Sequence, residues 1–129
     1  NKFCVIHTKG AEKEIDKILL EYPNAKPIIH WYNGPENIFQ DFLERGYFQT
    51  FGCETIRNPF LQHLLKITPK NLILAETDNP TAETWLGGTD FSINLIEKIY
   101  RDLSNILEIP FSTLEDQIYE NTKRILFTT

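Results

Sequence analysis

Two histidines and an aspartate carry the chemistry this sequence offers. His7 ends the run "KFCVIH", His30 ends "KPIIH" and Asp78 closes "NLILAETD"; the histidines stand 23 residues apart and Asp78 follows 48 residues after His30, close to two further periods. A polar residue recurring at the end of successive apolar runs predicts successive βα units whose strand ends share a register. In parallel α/β folds, active sites form where those C-terminal strand ends converge. Two imidazoles and one carboxylate are a donor set for zinc or a similar divalent ion. A cation there would also explain why an apolar run ends in two acids, Glu76 and Asp78, which by strand alternation share a face with Leu72 and Leu74.

Other residues near these strand ends each carry two readings. Cys53, in "FGCET" with Glu54 beside it, lies one period after His30, where a thiolate would ligate zinc and a small residue would equally serve packing. Glu76 either binds metal or accepts hydrogen bonds that hold a ligand in place. Lys9, in "HTKGA", lies just past a strand end, where it would meet a substrate phosphate or remain a solvated loop residue. Trp31, Tyr32 and Trp85 fall on the same rim, as platforms for bases or as core. His63, in "PFLQHLLK", reads as a surface or interface residue.

The elements that must position these groups alternate short apolar runs with longer helical patterns, which predicts a parallel sheet. Strands are expected within residues 2–7, 26–31, 47–52 and 71–76. Helical spacing covers Ala11–Tyr22 through Ile15, Ile18, Leu19 and Tyr22. The segment 33–46 has Pro35 for its first turn, a stripe of Ile38, Phe39, Phe42 and Leu43, and Gly46 for its C-terminal cap. Pro59–Ile67 predicts a short helix and Asn94–Leu107 a longer one with a broad apolar face. Gly87 and Gly88 read as a loop before a helix start at Thr89 and Asp90, and "STLE", Ser112–Glu115, as a capping box opening a last helix to about Leu126.

With 129 residues, 41% apolar and 24% charged, the chain is expected to be one globular piece, residues 1–129. No apolar stretch approaches the ~18 residues of a membrane span and no signal peptide opens the chain, so a cytoplasmic location without membrane contact is expected. Two cysteines are too few for a disulfide framework and are expected as thiols. A net charge of −5 argues against gripping nucleic acid by general electrostatics, although a bound cation would reverse that locally. The start at Asn1, without methionine, suggests a fragment or processed product.

Taken in order, "VIHTKGAEKEI", "PIIHWYNGP", "ERGYFQTFG", "LILAETDNP" and, more weakly, "ENTKRILF" resemble the TatD family of metal-dependent deoxyribonucleases over almost the whole chain. The resemblance implies a (β/α)8 TIM-type barrel with two divalent metal ions, Mg2+ or Zn2+, that hydrolyses DNA phosphodiesters, commonly from 3′ ends or on single strands. It implies His7, His30 and Asp78 as metal ligands from the fifth, sixth and eighth strands, Asp78 also holding the attacking water, and Lys9 near the substrate phosphate. The family's opening His-x-His and its bridging glutamate are absent, and "NPTAETWLGG" replaces its usual proline-rich stretch, which marks a divergent branch; some such branches accompany bacterial phage-defence operons.

Four strands cannot close an eight-stranded barrel. The expected architecture is therefore α/β, the C-terminal half of such a barrel with helices outside, completed by an N-terminal half or by another chain. Left alone, it is expected to expose two sheet edges and the inward faces of Val5, Ile28 and Leu72. Three other readings fit part of the pattern: a related metallohydrolase acting on small esters, amides or lactones; a non-catalytic half-barrel scaffold or binding module; and a small flavodoxin-like domain with incidental strand-end polar residues.

Overall fold

A computed structural model describes residues 2–88 and 92–127. Four parallel strands, β1 (Phe3–His7), β2 (Lys26–His30), β3 (Phe48–Phe51) and β4 (Ile73–Ala75), form one sheet in sequential order. Helices α1 (Glu12–Glu21), α2 (Glu36–Glu44) and α3 (Pro59–Ile67) make the crossovers, a short α4 (Thr81–Trp85) follows β4, and α5 (Leu95–Leu107) and α6 (Phe111–Phe127) end the described chain. Sequential order with every connection crossing to a parallel neighbour is the winding of a (β/α) barrel, here half of one. A flavodoxin-like sheet would reverse its strand order. Among the described residues no helix is long and apolar enough to cross a membrane.

Strand alternation sorts the side chains into two layers. Ile29, Phe51 and Ile73 face the helices and join Phe39, Phe42, Leu64, Leu65, Ile99, Leu103 and Leu114 in the main core. The opposite face carries Ile28, Phe48 and Leu74, packed with Phe3 and Ile125. The expectation that Val5, Ile28 and Leu72 would all be bare holds only for Val5, which is 67% exposed. Ile28 is buried sideways between large strand neighbours, and Leu72 is buried within a 3-10 turn, Lys70–Leu72, that delays the start of β4.

Local signals explain the element ends. The Asn58 side chain caps α3 by accepting the N–H groups of Phe60 and Leu61 at 3.0 and 3.4 Å, and Pro59 fills the first turn, where a missing N–H costs nothing. Gly46, at φ +75°, ends α2 as its spacing predicts. The Ser112–Glu115 capping box, however, is displaced: α6 already begins at Phe111, directly after Pro110. The short α4 occupies a stretch for which the sequence predicts no element, and the helix start expected at Thr89 and Asp90 lies outside the described residues.

Asn121, fully buried, ties α6 to the beginning of β4. Its amide donates to the carbonyls of Lys70 at 2.9 Å and Ile73 at 2.7 Å, while its oxygen accepts from Gln117 at 3.0 Å. Asn121→Ala strands the buried Ile73 carbonyl and removes the donor to the part-buried Lys70 carbonyl, and a buried unsatisfied polar group costs about 1–3 kcal/mol. Urea unfolding of the variant is expected to show a loss of about 3 kcal/mol; a change below about 0.5 kcal/mol would refute this tie.

Candidate metal and hydrolytic site

At the C-terminal edge of the sheet the parallel register places His7 directly opposite His30, with ring centroids 5.4 Å apart. The His30 side chain is only 16% exposed and is held from both sides. Its Nδ1 lies 2.7 Å from Glu76 Oε2, and its Nε2 lies 3.8 Å from Asp78 Oδ1. In the neutral ring, a carboxylate on Nδ1 selects the tautomer that carries the proton there, so that Nε2 is the lone-pair nitrogen on the side of Asp78. Glu76 is anchored in turn by the Thr50 hydroxyl, which donates to Oε1 and accepts the Trp31 N–H at 3.1 Å.

The shared register expected of the three polar residues holds for the histidines and fails for the other units. The residue aligned with His30 on β3 is Thr50, three positions ahead of Cys53, and Thr50 in turn aligns with Leu74. Counting a fixed period missed this because the α2 crossover is shorter than the α1 crossover. Asp78 lies four residues beyond Leu74, past the end of β4, and comes back to His30 through a left-handed turn at φ +48°. At the end of β3 the chain runs so close to β4 that a Cβ on Gly52 would stand 3.2 Å from the Glu76 carbonyl oxygen. Glycine keeps these two strand ends close.

Above these groups opens a cavity of about 420 Å3, lined among others by His7, Lys9, Trp31, Glu54 and Asp78. A larger one, about 560 Å3, opens at the other end of the strands around Phe3, Lys26, Arg45 and Phe48. It holds neither a histidine nor a carboxylate, so chemistry rather than volume selects the site.

Glu54 has a buried Oε1 with no hydrogen-bond partner. Burial pushes its carboxyl up to about 7; Lys9 pulls it back, and Glu76 and Asp78 push it further up. Between its ordinary 4.5 and about 7 the folded chain holds a proton that the unfolded chain has released. Stability of the metal-free protein is therefore expected to fall as pH rises through that window and to level off above it. Glu54 is partly exposed, so solvent screening reduces the effect to about 1 kcal/mol. Urea unfolding in a chelator at pH 5 and pH 8 reads the slope, and Glu54→Gln is expected to flatten it; an unchanged slope would refute the assignment.

The remaining candidates separate cleanly. Lys9 lines the cavity with Glu54 and Asp78. Cys53 is buried in the apolar core, as the packing reading expected, and neither cysteine is in a disulfide. His63 sits on α3 at the surface, with Nε2 3.0 Å from Glu36 Oε1. Tyr32 is core, in tilted and edge contacts with Phe39 and Phe42 and with its hydroxyl donating to the Pro35 carbonyl at 2.7 Å, whereas Trp31 packs against that core only in part and also lines the cavity. The Trp85 side chain lies outside what the structure describes. Sequence reading passed over Thr50 and gave Glu54 no role; the signal for Thr50 is a hydroxyl on an inward strand position in "FQTF".

The donor chemistry fits a cation. Two donors about 2.1 Å from one tetrahedral ion stand roughly 3.4 Å apart. The 3.8 Å between His30 and Asp78 closes to that by a small side-chain rotation. Among the described residues no three His, Cys, Asp or Glu side chains converge as a finished metal site. His30 and Asp78 thus face each other at this edge, with His7 beside His30.

Comparisons with known proteins agree with this geometry. The family model for TatD-related DNases matches residues 1–127. The metal-dependent hydrolase MG009 of Mycoplasma genitalium is 27% identical over 95% of this chain and 50% of its own length, and a TATDN1 homolog of Vairimorpha ceranae is 26% identical over 90% and 49%. The chain thus spans about half the length of these relatives. Among solved structures, the TatD homolog YJJV of Escherichia coli superposes with a TM-score of 0.81 at 17% identity, over 98% of this chain and 51% of that one. With strand order, strand-end histidines and the returning aspartate all in place, the match over nearly its full length establishes that this chain belongs to the TatD-related DNase family.

Proposed function

We propose that these residues form the C-terminal half of a metal-dependent hydrolase that cleaves DNA phosphodiester bonds, working exonucleolytically from 3′ ends or on single strands. The observation that carries the reading is His30, held by Glu76 through one ring nitrogen and facing Asp78 through the other, at the strand ends of a TatD-family sheet. His7, His30 and Asp78 would hold divalent ions, Mg2+ or Zn2+, two in the complete enzyme. Such ions supply Lewis acidity and a bound water of lowered pKa. Asp78, beyond the strand end and one-third exposed, would accept a proton from a water at the cavity mouth. Lys9 brings a positive charge to the same cavity, where it would meet a substrate phosphate.

Support for a missing half comes from the sheet itself. Within the described residues β1 pairs only with β2 and β4 only with β3, and Val5 projects 67% exposed from β1. Parallel sheets are normally covered on both faces, so an N-terminal half or a second chain would close the barrel and complete the ligand set. The intact mass and metal content of the natural gene product, measured together with release of nucleotides from a 3′-labelled single strand, test this. A product near twice 15.1 kDa that carries divalent metal and degrades the strand is expected. A metal-free product of about 15.1 kDa would overturn it in favour of the non-catalytic scaffold.

A further inference from the structure

Trp31 occupies a conformation that its own side chain disfavours. It follows His30, whose side chain faces the sheet interior, so strand alternation would turn the indole outward under the helices. The backbone there enters the left-handed region at φ +47°, which bulky residues rarely adopt, and is pinned by the N–H bond to Thr50 Oγ1 at 3.1 Å, so that the indole also reaches the strand-end cavity. The indole is part-buried: it packs in part against the helix-side core and reaches the rim, with its ring centroid 6.1 Å from that of His30 in a perpendicular rather than parallel contact. It lines the 420 Å3 cavity together with His7, Lys9, Asn33, Asp78 and Leu86. Backbone strain of this kind is retained where it positions a functional group.

We propose that Trp31 is the stacking platform for one unpaired nucleobase, and that it makes the site select single-stranded or frayed DNA ends over intact duplex. The inference rests on the hydrolase reading above and adds to it the feature that sets substrate form. A cavity of this volume is at the small end of ligand sites, which span about 300–1,000 Å3, a size suited to a single nucleotide. A nucleotide holds its base one sugar away from its phosphate. With the phosphate at the His30–Asp78 pair, the base falls beside the neighbouring indole. Bases inside a duplex have both faces covered, so only an unstacked one can pair with Trp31. Stacking on an aromatic ring is tolerant of sequence, and Asn33 and Thr81 line the same cavity as hydrogen-bonding groups.

The test is a double-mutant cycle on the natural full-length protein with Mg2+. The probes are a dT octamer whose terminal linkage is a phosphorothioate, to slow hydrolysis, and the same strand ending in an abasic residue. Trp31→Leu is expected to weaken binding of the base-bearing strand about tenfold and leave the abasic strand unchanged, while Trp31→Phe retains most of the affinity. Equal losses on both strands would mean that Trp31 only supports the fold, and would overturn the proposal. So would an unchanged affinity, or the absence of saturable binding of either strand by the unsubstituted protein. Cleavage of the ordinary phosphodiester strand is read separately, so failure of the hydrolase reading and failure of the stacking platform appear in different measurements.

Discussion

Asp78→Asn is expected to lower phosphodiester hydrolysis by the complete protein about a thousandfold, within the ~10²–10⁴ that a positioned general base supplies, while leaving the fold intact. Asp78 is one-third exposed and lies at φ +48°, a region that asparagine tolerates at least as well as aspartate. The substitution keeps the shape and one acceptor oxygen but removes the negative charge that faces His30 Nε2 at 3.8 Å. A neutral amide neither accepts a proton from water at neutral pH nor balances a divalent cation. Steady-state rates on a 3′-labelled strand, metal content and thermal unfolding should be measured on one preparation. Loss of activity and metal at an unchanged melting temperature supports the role, whereas parental rates with parental metal content would remove Asp78 from the site.

The fold was legible because its parts are local and repeated. The runs at 2–7, 26–31, 47–52 and 71–76 each contain a strand, and helices α1, α2, α3 and α5 lie where apolar spacing put them, to within a residue or two at each end. The ordered set of motifs around His7, His30 and Asp78 led to the TatD family, which the match over residues 1–127 shows. What escaped depends on tertiary register. Thr50 is ordinary in sequence and matters only because parallel pairing sets it beside His30 and because Glu76 extends the same face. Asp78 was read as continuing a strand, yet β4 is only three residues long and the aspartate reaches His30 by reversing direction. Tyr32 and Trp31 are adjacent, and nothing in their types says which is core and which is rim. The left-handed backbone at Trp31 decides that, held by a hydrogen bond from a strand 19 residues away.

Glu76→Gln tests whether His30 is a prepared donor or a histidine that merely ends a strand. In the parent the Glu76 carboxylate can only accept, so the 2.7 Å contact requires a proton on His30 Nδ1, and in the neutral ring Nε2 is then the lone-pair nitrogen facing Asp78. Glutamine preserves size and can rotate its amide to donate to Nδ1. The imidazole then carries its proton on Nε2, where it blocks a cation. Loss of such an outer carboxylate typically costs about 10–100-fold in metal affinity, and the same range is expected here from competition with a calibrated chelator. Thr50→Val supplies the comparison, because it removes the hydroxyl that steadies Glu76 Oε1 without touching the carboxylate on His30. If the carboxylate sets the tautomer, Thr50→Val weakens metal binding only a few-fold and Glu76→Gln far more. If both substitutions weaken binding equally and lower the melting temperature together, the network acts through the local fold, and His30 owes its donor geometry to β2 alone.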